Sequence, residues 1–354
     1  MTKTTTSKNS ARANNDDNNK HVITQYIDHK NDNDNQDIVA AFLGESVREL
    51  TTDHKSGYIA VVGKPNVGKS TLVNALIGHK VAIVSPKPQT TRRRILGILT
   101  RPEAQILFVD TPGVHEVHHS LNKVMMREVD EALADCDAVL FVVDISHSPT
   151  EDDHNVAKRI AGLDRPVIFA LNKADTVDPR FLLQNVAAYE ALIKTRTANT
   201  TAPYMLTSAT RGDNLEKLLA MVLEVLPEGP EYYPPDQYTD QTERVMVAEL
   251  IREQAIRNLS QEVPHALAVM IDEFAERKRG GAAYIAATIF IERDSQKGIL
   301  IGDGGKMLKR IGAAARKNIE AELGRSVFLE LWVKVREQWR SNTRAVNEFL
   351  DIQE

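Results

Sequence analysis

At 354 residues the chain is long for one domain and comfortable for two, each large enough to bury its own core. Its composition, 42% hydrophobic, 26% charged and 5% aromatic with a formal net charge of −5, excludes a general attraction to polyanions, so any nucleic-acid surface must be a local patch. A single cysteine, Cys136, excludes an intramolecular disulfide and a cysteine-rich metal site, and no run of 18 apolar residues offers a membrane span.

Residues 1–54 form a compositional zone of their own, containing Asn14-Asn15-Asp16-Asp17-Asn18-Asn19 and Asn31-Asp32-Asn33-Asp34-Asn35. Such tracts cannot bury enough apolar surface to offset the entropy of ordering, so a disordered Asn/Asp-rich extension is expected. Lys3, Lys8 and Arg12 among many Ser and Thr have the composition of a transit peptide, but the acids from Asp16 onward and the missing apolar face argue against organellar targeting. Val39, Phe42, Leu43, Val47 and Leu50 recur at helical spacing and read as a short helix leading into the core.

From 57 to 226, apolar strands (58–62, 94–99, 105–110, 138–144, 167–172, 204–208) alternate with amphipathic helices (69–78, 121–133, 151–161, 180–194, 214–226). Arg101-Pro102-Glu103 reads as a hairpin turn, which makes the second and third strands antiparallel and leaves the rest parallel. Cys136 enters the fourth strand as a small core residue. Sheets of this kind bind ligands at the carboxyl ends of their strands. Four strings fall there.

The first, Gly63-Lys64-Pro65-Asn66-Val67-Gly68-Lys69-Ser70, follows a strand and runs into a helix that continues through Thr71, the context of a phosphate-binding loop. Its glycines let backbone N–H groups converge on a phosphate, Lys69 reaches the β/γ oxygens and Ser70 ligates Mg²⁺. The second, Asp110-Thr111-Pro112-Gly113, supplies a carboxylate for the Mg²⁺ shell and, at Gly113, an N–H for a γ-phosphate. In the third, Asn172-Lys173-Ala174-Asp175, Asp175 accepts from the N1–H and exocyclic amine of guanine, Asn172 reads the base edge and the Lys173 stem packs on its face. The fourth, Thr207-Ser208-Ala209, offers a backbone N–H to guanine O6.

In this order the four strings resemble the translation-factor-like class of small GTP-binding domains. The resemblance places the first switch at 85–94, where Thr90 or Thr91 must close over Mg²⁺; Thr91 is favoured. Arg92, Arg93 and Arg94 read as a solvated basic edge. Val114 stands where many such switches carry a glutamine, and a valine cannot position water, so intrinsic hydrolysis should be slow. Asn66 occupies the position that helps ligate K⁺ in related potassium-activated GTPases, which makes K⁺ dependence a hypothesis. His115, His118 and His119 read as a solvated switch loop, because no matching metal ligands accompany them.

Proline and glycine at 227–235 end the last helix, which places a linker at 227–238. A helix over 244–259 and strands over 265–275 and 282–292 follow, the strands joined by a turn at Arg277-Lys278-Arg279-Gly280-Gly281. Then Gly302-Asp303-Gly304-Gly305 lies between two helices as a KH loop, which clamps the backbone of about four nucleotides. Residues 297–340 hold ten Lys or Arg against five Asp or Glu, and within that patch Lys306, Lys309, Arg310, Arg316 and Lys317 are the candidate RNA contacts. Asp303 opposes phosphate.

A GTP-binding domain followed at once by a KH domain resembles the Era family, to which Gln89-Thr90-Thr91-Arg92 and Leu329-Glu330-Leu331-Trp332-Val333-Lys334-Val335 are also similar. The fold implied is a P-loop GTPase domain with a mostly parallel sheet (55–226), then an α+β type II KH domain (239–345) and a carboxyl-terminal tail (346–354). The resemblance implies a cytoplasmic, monomeric GTPase using GTP/GDP and Mg²⁺, with Lys69, Thr91, Gly113 and Asn66 at the reaction and Ser70, Thr91 and Asp110 on the metal. It further implies binding to the 3′ end of small-subunit (16S) rRNA, assistance to small ribosomal subunit assembly, peripheral association with the inner membrane, and no DNA partner. The alternative is an RNA-binding assembly factor whose nucleotide is mainly structural.

Overall fold

Apolar runs buried on both faces build the first sheet. It comprises β1 (Lys55–Val62), β2 (Ile95–Arg101), β3 (Ala104–Asp110), β4 (Ala138–Asp144), β5 (Val167–Asn172) and β6 (Tyr204–Leu206), in the order β2-β3-β1-β4-β5-β6. Every residue of β3 and β4 is buried. β2 runs antiparallel to β3, from Ile95 opposite Asp110 to Arg101 opposite Ala104, and all other neighbours are parallel. The structure, a computed structural model, describes residues 54–114, 119–193, 202–276 and 281–352. The expected disorder of the extension, its helix, His115, His118 and most of the turn at 277–281 lie outside the described residues.

Helices cover both faces. On one side α1 (Lys69–Ile77) and α5 (Leu215–Val225) set Leu72, Val73, Leu218 and Val222 against β1, β3 and β4. On the other lie α2 (Ser120–Asp135), α3 (Glu151–Ile160) and α4 (Pro179–Ile193), over Phe141 and Phe169, whose rings meet at 4.8 Å. Cys136 is buried there. The segment at 227–239 is pinned along this domain: buried Gln105 accepts from the N–H groups of Tyr232 and Tyr233 at 2.7 and 2.9 Å and donates to the Tyr233 carbonyl at 2.8 Å. Thr239 bridges Gly97 at the free edge of β2.

The second sheet holds β7 (Ala268–Ala275), β8 (Ala283–Ile291) and β9 (Val327–Val335), antiparallel between β7 and β8 and parallel between β8 and β9. α6 (Glu243–Asn258), α7 (Asp294–Ile301) and α8 (Lys306–Leu323) cover one face through Leu250, Ile251, Leu300, Ile311 and Ile319. This is the helix–strand–strand–helix–helix–strand order of the expected carboxyl domain.

Residues 346–354 do not all form a tail. α9 (Thr343–Leu350) packs on α2, and Ala345, Val346 and Leu350 are buried in the apolar cluster that contains Leu121, Met125 and Phe141. Fully buried Trp339 joins the same cluster and donates from Nε1 to the Ala266 carbonyl at 2.8 Å. In the reverse direction Ile83, between α1 and β2, lies in the cluster built by α6, β8 and α8. Each domain thus lends apolar residues to the core of the other.

Candidate functional site

β1 ends at Val62 and the chain turns sharply into α1. A Cβ at Gly63 would lie 2.3 Å from the Val142 carbonyl oxygen, and one at Gly68, where φ is 100°, would lie 2.4 Å from Asn172 Nδ2. Both positions exclude a side chain. No side chain caps the start of α1, so its first N–H groups face the loop as a ready anion site. Lys69 is buried with no carboxylate on its ammonium; Nζ donates to the carbonyls of Gly63 and Lys64 at 3.0 and 3.1 Å. Burial pulls its pKa down to about 8 against the counterpull of Asp110.

Beside Lys69 three oxygens converge. Ser70 Oγ donates to Asp110 Oδ2 at 2.6 Å, Thr91 Oγ1 donates to the same atom at 3.4 Å, and the two hydroxyls are 2.9 Å apart. Asp110 is fully buried, and its Oδ1 has no hydrogen-bond partner. Burial pushes its carboxyl up to about 6, although Lys69, Ser70 and Thr91 pull it down. Two hydroxyls around a half-satisfied buried carboxylate suit a hard divalent cation such as Mg²⁺. Thr90 turns away, its hydroxyl donating to the Lys87 carbonyl at 2.7 Å.

Gly113 is pressed on the loop: a Cβ there would lie 2.7 Å from the Pro65 nitrogen. Next to it Val114 is buried and its N–H donates to the Gly63 carbonyl at 3.2 Å. Pro112 is buried, and Thr71 lines the same cleft as Ser70, Thr91 and Gly113. Asn66 stands exposed on its rim with φ of 64°, a left-handed conformation that asparagine tolerates.

Several residues expected on the ligand are committed elsewhere. Lys64 sends its ammonium to Asp153 Oδ2 at 2.7 Å and Thr150 Oγ1 at 3.0 Å. Thr111 Oγ1 donates to the Val61 carbonyl at 2.8 Å, in the sheet interior. Asn172, 2% exposed, does not face a base edge: Nδ2 donates to the Val67 carbonyl at 2.9 Å and Oδ1 accepts from the Ala209 N–H at 3.1 Å. It is a brace between loops. Of the string expected to offer a backbone N–H to guanine O6, the Ala209 N–H is held by that brace and the Ser208 N–H donates to the Asp213 carbonyl at 3.3 Å.

Lys173, with φ of 62°, donates to Asp144 Oδ2 at 2.6 Å. Burial works to raise the Asp144 pKa, but hydrogen bonds from Lys173 and Ser146 outweigh it and hold the carboxyl below the ordinary range. The Asp175 side chain is 12% exposed, with Arg211 Nε 3.6 Å from Oδ2. Asp144 and Asp153 were missed from sequence. The first ends a strand just as Asp110 does, and the second completes a Thr150-x-x-Asp153 capping box; both signals were readable.

The solvated edge expected at Arg92–Arg94 is only partly so: Arg94 is exposed, but Arg92 is 4% exposed, its guanidinium 5.5 Å from the centroid of Trp339. His119 precedes α2 as its N-cap, and no group of three or more possible His, Cys, Asp or Glu metal ligands occurs among the described residues.

In the carboxyl domain Gly302, Gly304 and Gly305 all have positive φ, at 71°, 56° and 79°. Nothing lies within 4 Å of where a Cβ would stand on Gly304 or Gly305, so the loop presents bare backbone to solvent. Asp303 is exposed and pairs with Lys306 at 3.2 Å, which moderates its repulsion of phosphate. Along α8, Lys306, Lys309, Arg310, Arg316 and Lys317 are exposed, opposite the buried Ile311, Ala315 and Ile319. They form one basic stripe leading from the loop.

A family model described as a 50S ribosome-binding GTPase matches residues 58–173, and a KH-domain model matches 262–340. The GTPase Era of Heliobacterium modesticaldum is 44% identical over 295 residues, 83% of this chain and 96% of that protein. A crystal structure of Era in complex with MgGDPNP and nucleotides 1506–1542 of 16S ribosomal RNA superposes with a TM-score of 0.79 at 39% identity, covering 84% of this chain and 98% of the other. A variant of Aquifex aeolicus Era bound to GDP and AlF4− gives the same TM-score and identity over 83% and 98%. With relatives 39–44% identical that match over 83–84% of its length and 96–98% of theirs, the chain belongs to the Era family of GTPases.

Proposed function

We propose that this protein hydrolyses GTP to GDP and phosphate as a switch, binds the 3′ end of small-subunit rRNA and assists assembly of the small ribosomal subunit. The observation that carries the reading is the meeting of Thr91 with Ser70 and Asp110 at the phosphate loop, in a chain that also presents bare Gly304 and Gly305 on a basic helix.

Lys69 exchanges the Gly63 and Lys64 carbonyls for β/γ-phosphate oxygens, and the start of α1 stabilises the charge that develops on them. Ser70, Thr91 and Asp110 would hold Mg²⁺, which would supply further charge neutralisation. Asp175 selects guanine, while Asn172 fixes the distance between base loop and phosphate loop. Buried Val114 cannot orient the attacking water, so turnover is slow. The family likeness gives Asn66 a role in ligating K⁺; equal turnover in Na⁺ and K⁺ buffers would remove that role. A cytoplasmic location, a monomeric state and peripheral membrane association belong to the same proposal through the family likeness. No helix among the described residues is long and apolar enough to cross a membrane.

Binding of rRNA 3′-end fragments, measured with GDP and with a non-hydrolysable GTP analogue, tests the switch. Tighter binding with the analogue supports it; equal affinities would leave an RNA-binding assembly factor with a structural nucleotide.

A further inference from the structure

The segment that carries Thr91 has no helix or strand of its own between Lys80 and Arg94, so its shape is set by what grips it. Asn74 of α1 holds residues 81 and 82, and the grip on the rest comes from the carboxyl domain, largely from one helix. At the entry, fully buried Glu253 of α6 accepts from the Val84 N–H at 3.1 Å and from Lys80 Nζ at 2.5 Å. Arg257, one turn on, donates to the Val84 carbonyl at 3.1 Å. At the exit, Arg252 donates to the Thr90 carbonyl, and Glu249 holds its guanidinium with contacts of 2.8 and 2.6 Å. Arg92 reaches the other way, donating to the carbonyls of His265, at 2.9 Å, and Leu267 and lying over Trp339. Thr91 therefore sits between two neighbours, one held through its carbonyl and one through its side chain, and both holders belong to the other domain.

We propose that Arg252 and Arg92 are positioning residues for GTP hydrolysis: docked through them, the carboxyl domain holds Thr91 Oγ1 against Ser70 and Asp110, and the metal cup is complete only in the docked arrangement. The inference rests on the GTPase reading above and adds that the RNA-binding domain supplies part of the order of the nucleotide site.

The polar part of the junction is incompletely paired. Both guanidiniums are at least 96% buried, yet Arg92 Nε and Arg252 Nη1 have no hydrogen-bond partner. Water would satisfy both donors in an open arrangement, which offsets part of what docking gains. Linkage then runs in both directions: a ligand that favours docking favours Thr91 on the metal, and Mg²⁺ with GTP favours docking.

The full chain carrying Arg252→Gln, Arg252→Lys or Arg92→Lys tests this. The readouts are steady-state GTP hydrolysis against Mg²⁺ concentration, displacement of a fluorescent GDP, and thermal melting. The expected result for Arg252→Gln and Arg92→Lys is a fall in kcat of about tenfold, the scale of one hydrogen bond to a charged group, with GDP affinity within about twofold. More Mg²⁺ should recover part of the loss. Arg252→Lys, still able to donate to the Thr90 carbonyl, should keep most of the rate. Rates within about twofold of the parent in both Arg252→Gln and Arg92→Lys would overturn the proposal, as would equal losses of GDP and GTP affinity in folded variants. Should Arg252→Gln fail to melt cooperatively, Arg92→Lys decides alone. A parent protein that does not hydrolyse GTP would instead sink the GTPase reading, so the two failures are distinguishable.

Discussion

Asn172 Nδ2 donates to the Val67 carbonyl at 2.9 Å, and that same nitrogen would lie 2.4 Å from a Cβ on Gly68. The guanine-recognition loop and the phosphate loop are therefore locked to one another by a side chain that faces neither base nor phosphate. Replacing Asn172 by Ala leaves the Val67 carbonyl and the Ala209 N–H buried and unpaired, at roughly 1–3 kcal/mol each. The expected outcome is a loss of at least tenfold in affinity for GDP and GTP alike, read by nucleotide titration. An Asn172→Ala protein that binds both normally would show that the brace is dispensable.

Asp175 is the residue left to read the base. On the proposed reading Asp175 accepts two guanine N–H groups, which the amide of Asp175→Asn cannot do, so GTP binding should weaken by one to two orders of magnitude, as expected for hydrogen bonds to a charged group. Competition between GTP and XTP is the measurement. An unchanged preference for GTP would refute the assignment of this carboxylate to the base.

Lys64 and Asp153 form an ion pair with side-chain exposures of 11% and 0%. Removing one partner strands the other, so Asp153→Ala should destabilise the protein by roughly 3 kcal/mol, seen as a lower urea midpoint. Replacing both residues by apolar ones of similar volume should recover much of that loss. A double variant no more stable than Asp153→Ala would mean that Asp153 acts chiefly as the cap of α3.

The Asp144–Lys173 pair makes a pH prediction. The folded Asp144 pKa lies below the ordinary carboxylate value of about 4, so the folded state binds its proton less tightly than the unfolded chain does. Its contribution is fully present above about pH 4 and is lost as pH falls through the folded value. Denaturation curves of the parent and Asp144→Asn should accordingly differ at neutral pH and converge in acid. A gap that stays constant down to pH 3 would assign the difference to shape and not to charge.

Gly305 combines a left-handed backbone with open space around it. Gly305→Glu puts a carboxylate where phosphates should approach, and the expected result is loss of rRNA binding with GDP affinity intact. Retained RNA affinity would move the RNA site away from this loop.

Much of this structure was legible in the sequence because the signals are local. Strand-to-loop-to-helix context marked the phosphate loop, and a strand-end Asp-Thr-Pro-Gly marked Asp110. Other features were not legible, because their partners are far apart in the chain. Arg92 reads as one of three adjacent arginines, and nothing local says that it alone meets carbonyls 173 and 175 residues away. The later part of α9 falls in the expected tail at 346–354, because so short a segment says little about the surface that will receive Val346 and Leu350. Asn172 fell between the two cases. Its motif was recognised, but only the sites occupied by both ends of its amide show that it holds loops together.

The exchange of apolar residues between the two cores also bears on the order in which the molecule is made. Arg93, at the edge of the first sheet, hydrogen-bonds the Leu350 carbonyl 257 residues later. At bacterial and eukaryotic synthesis rates of roughly 5–20 residues per second, that interval is about 13–50 s. Until Val346 and Leu350 are made, α2 lacks the residues that cover it, and until α6 is made Ile83 lacks its cluster. The contacts that hold the segment at 80–94 to α6 and to Trp339 can therefore form only after those residues have been translated.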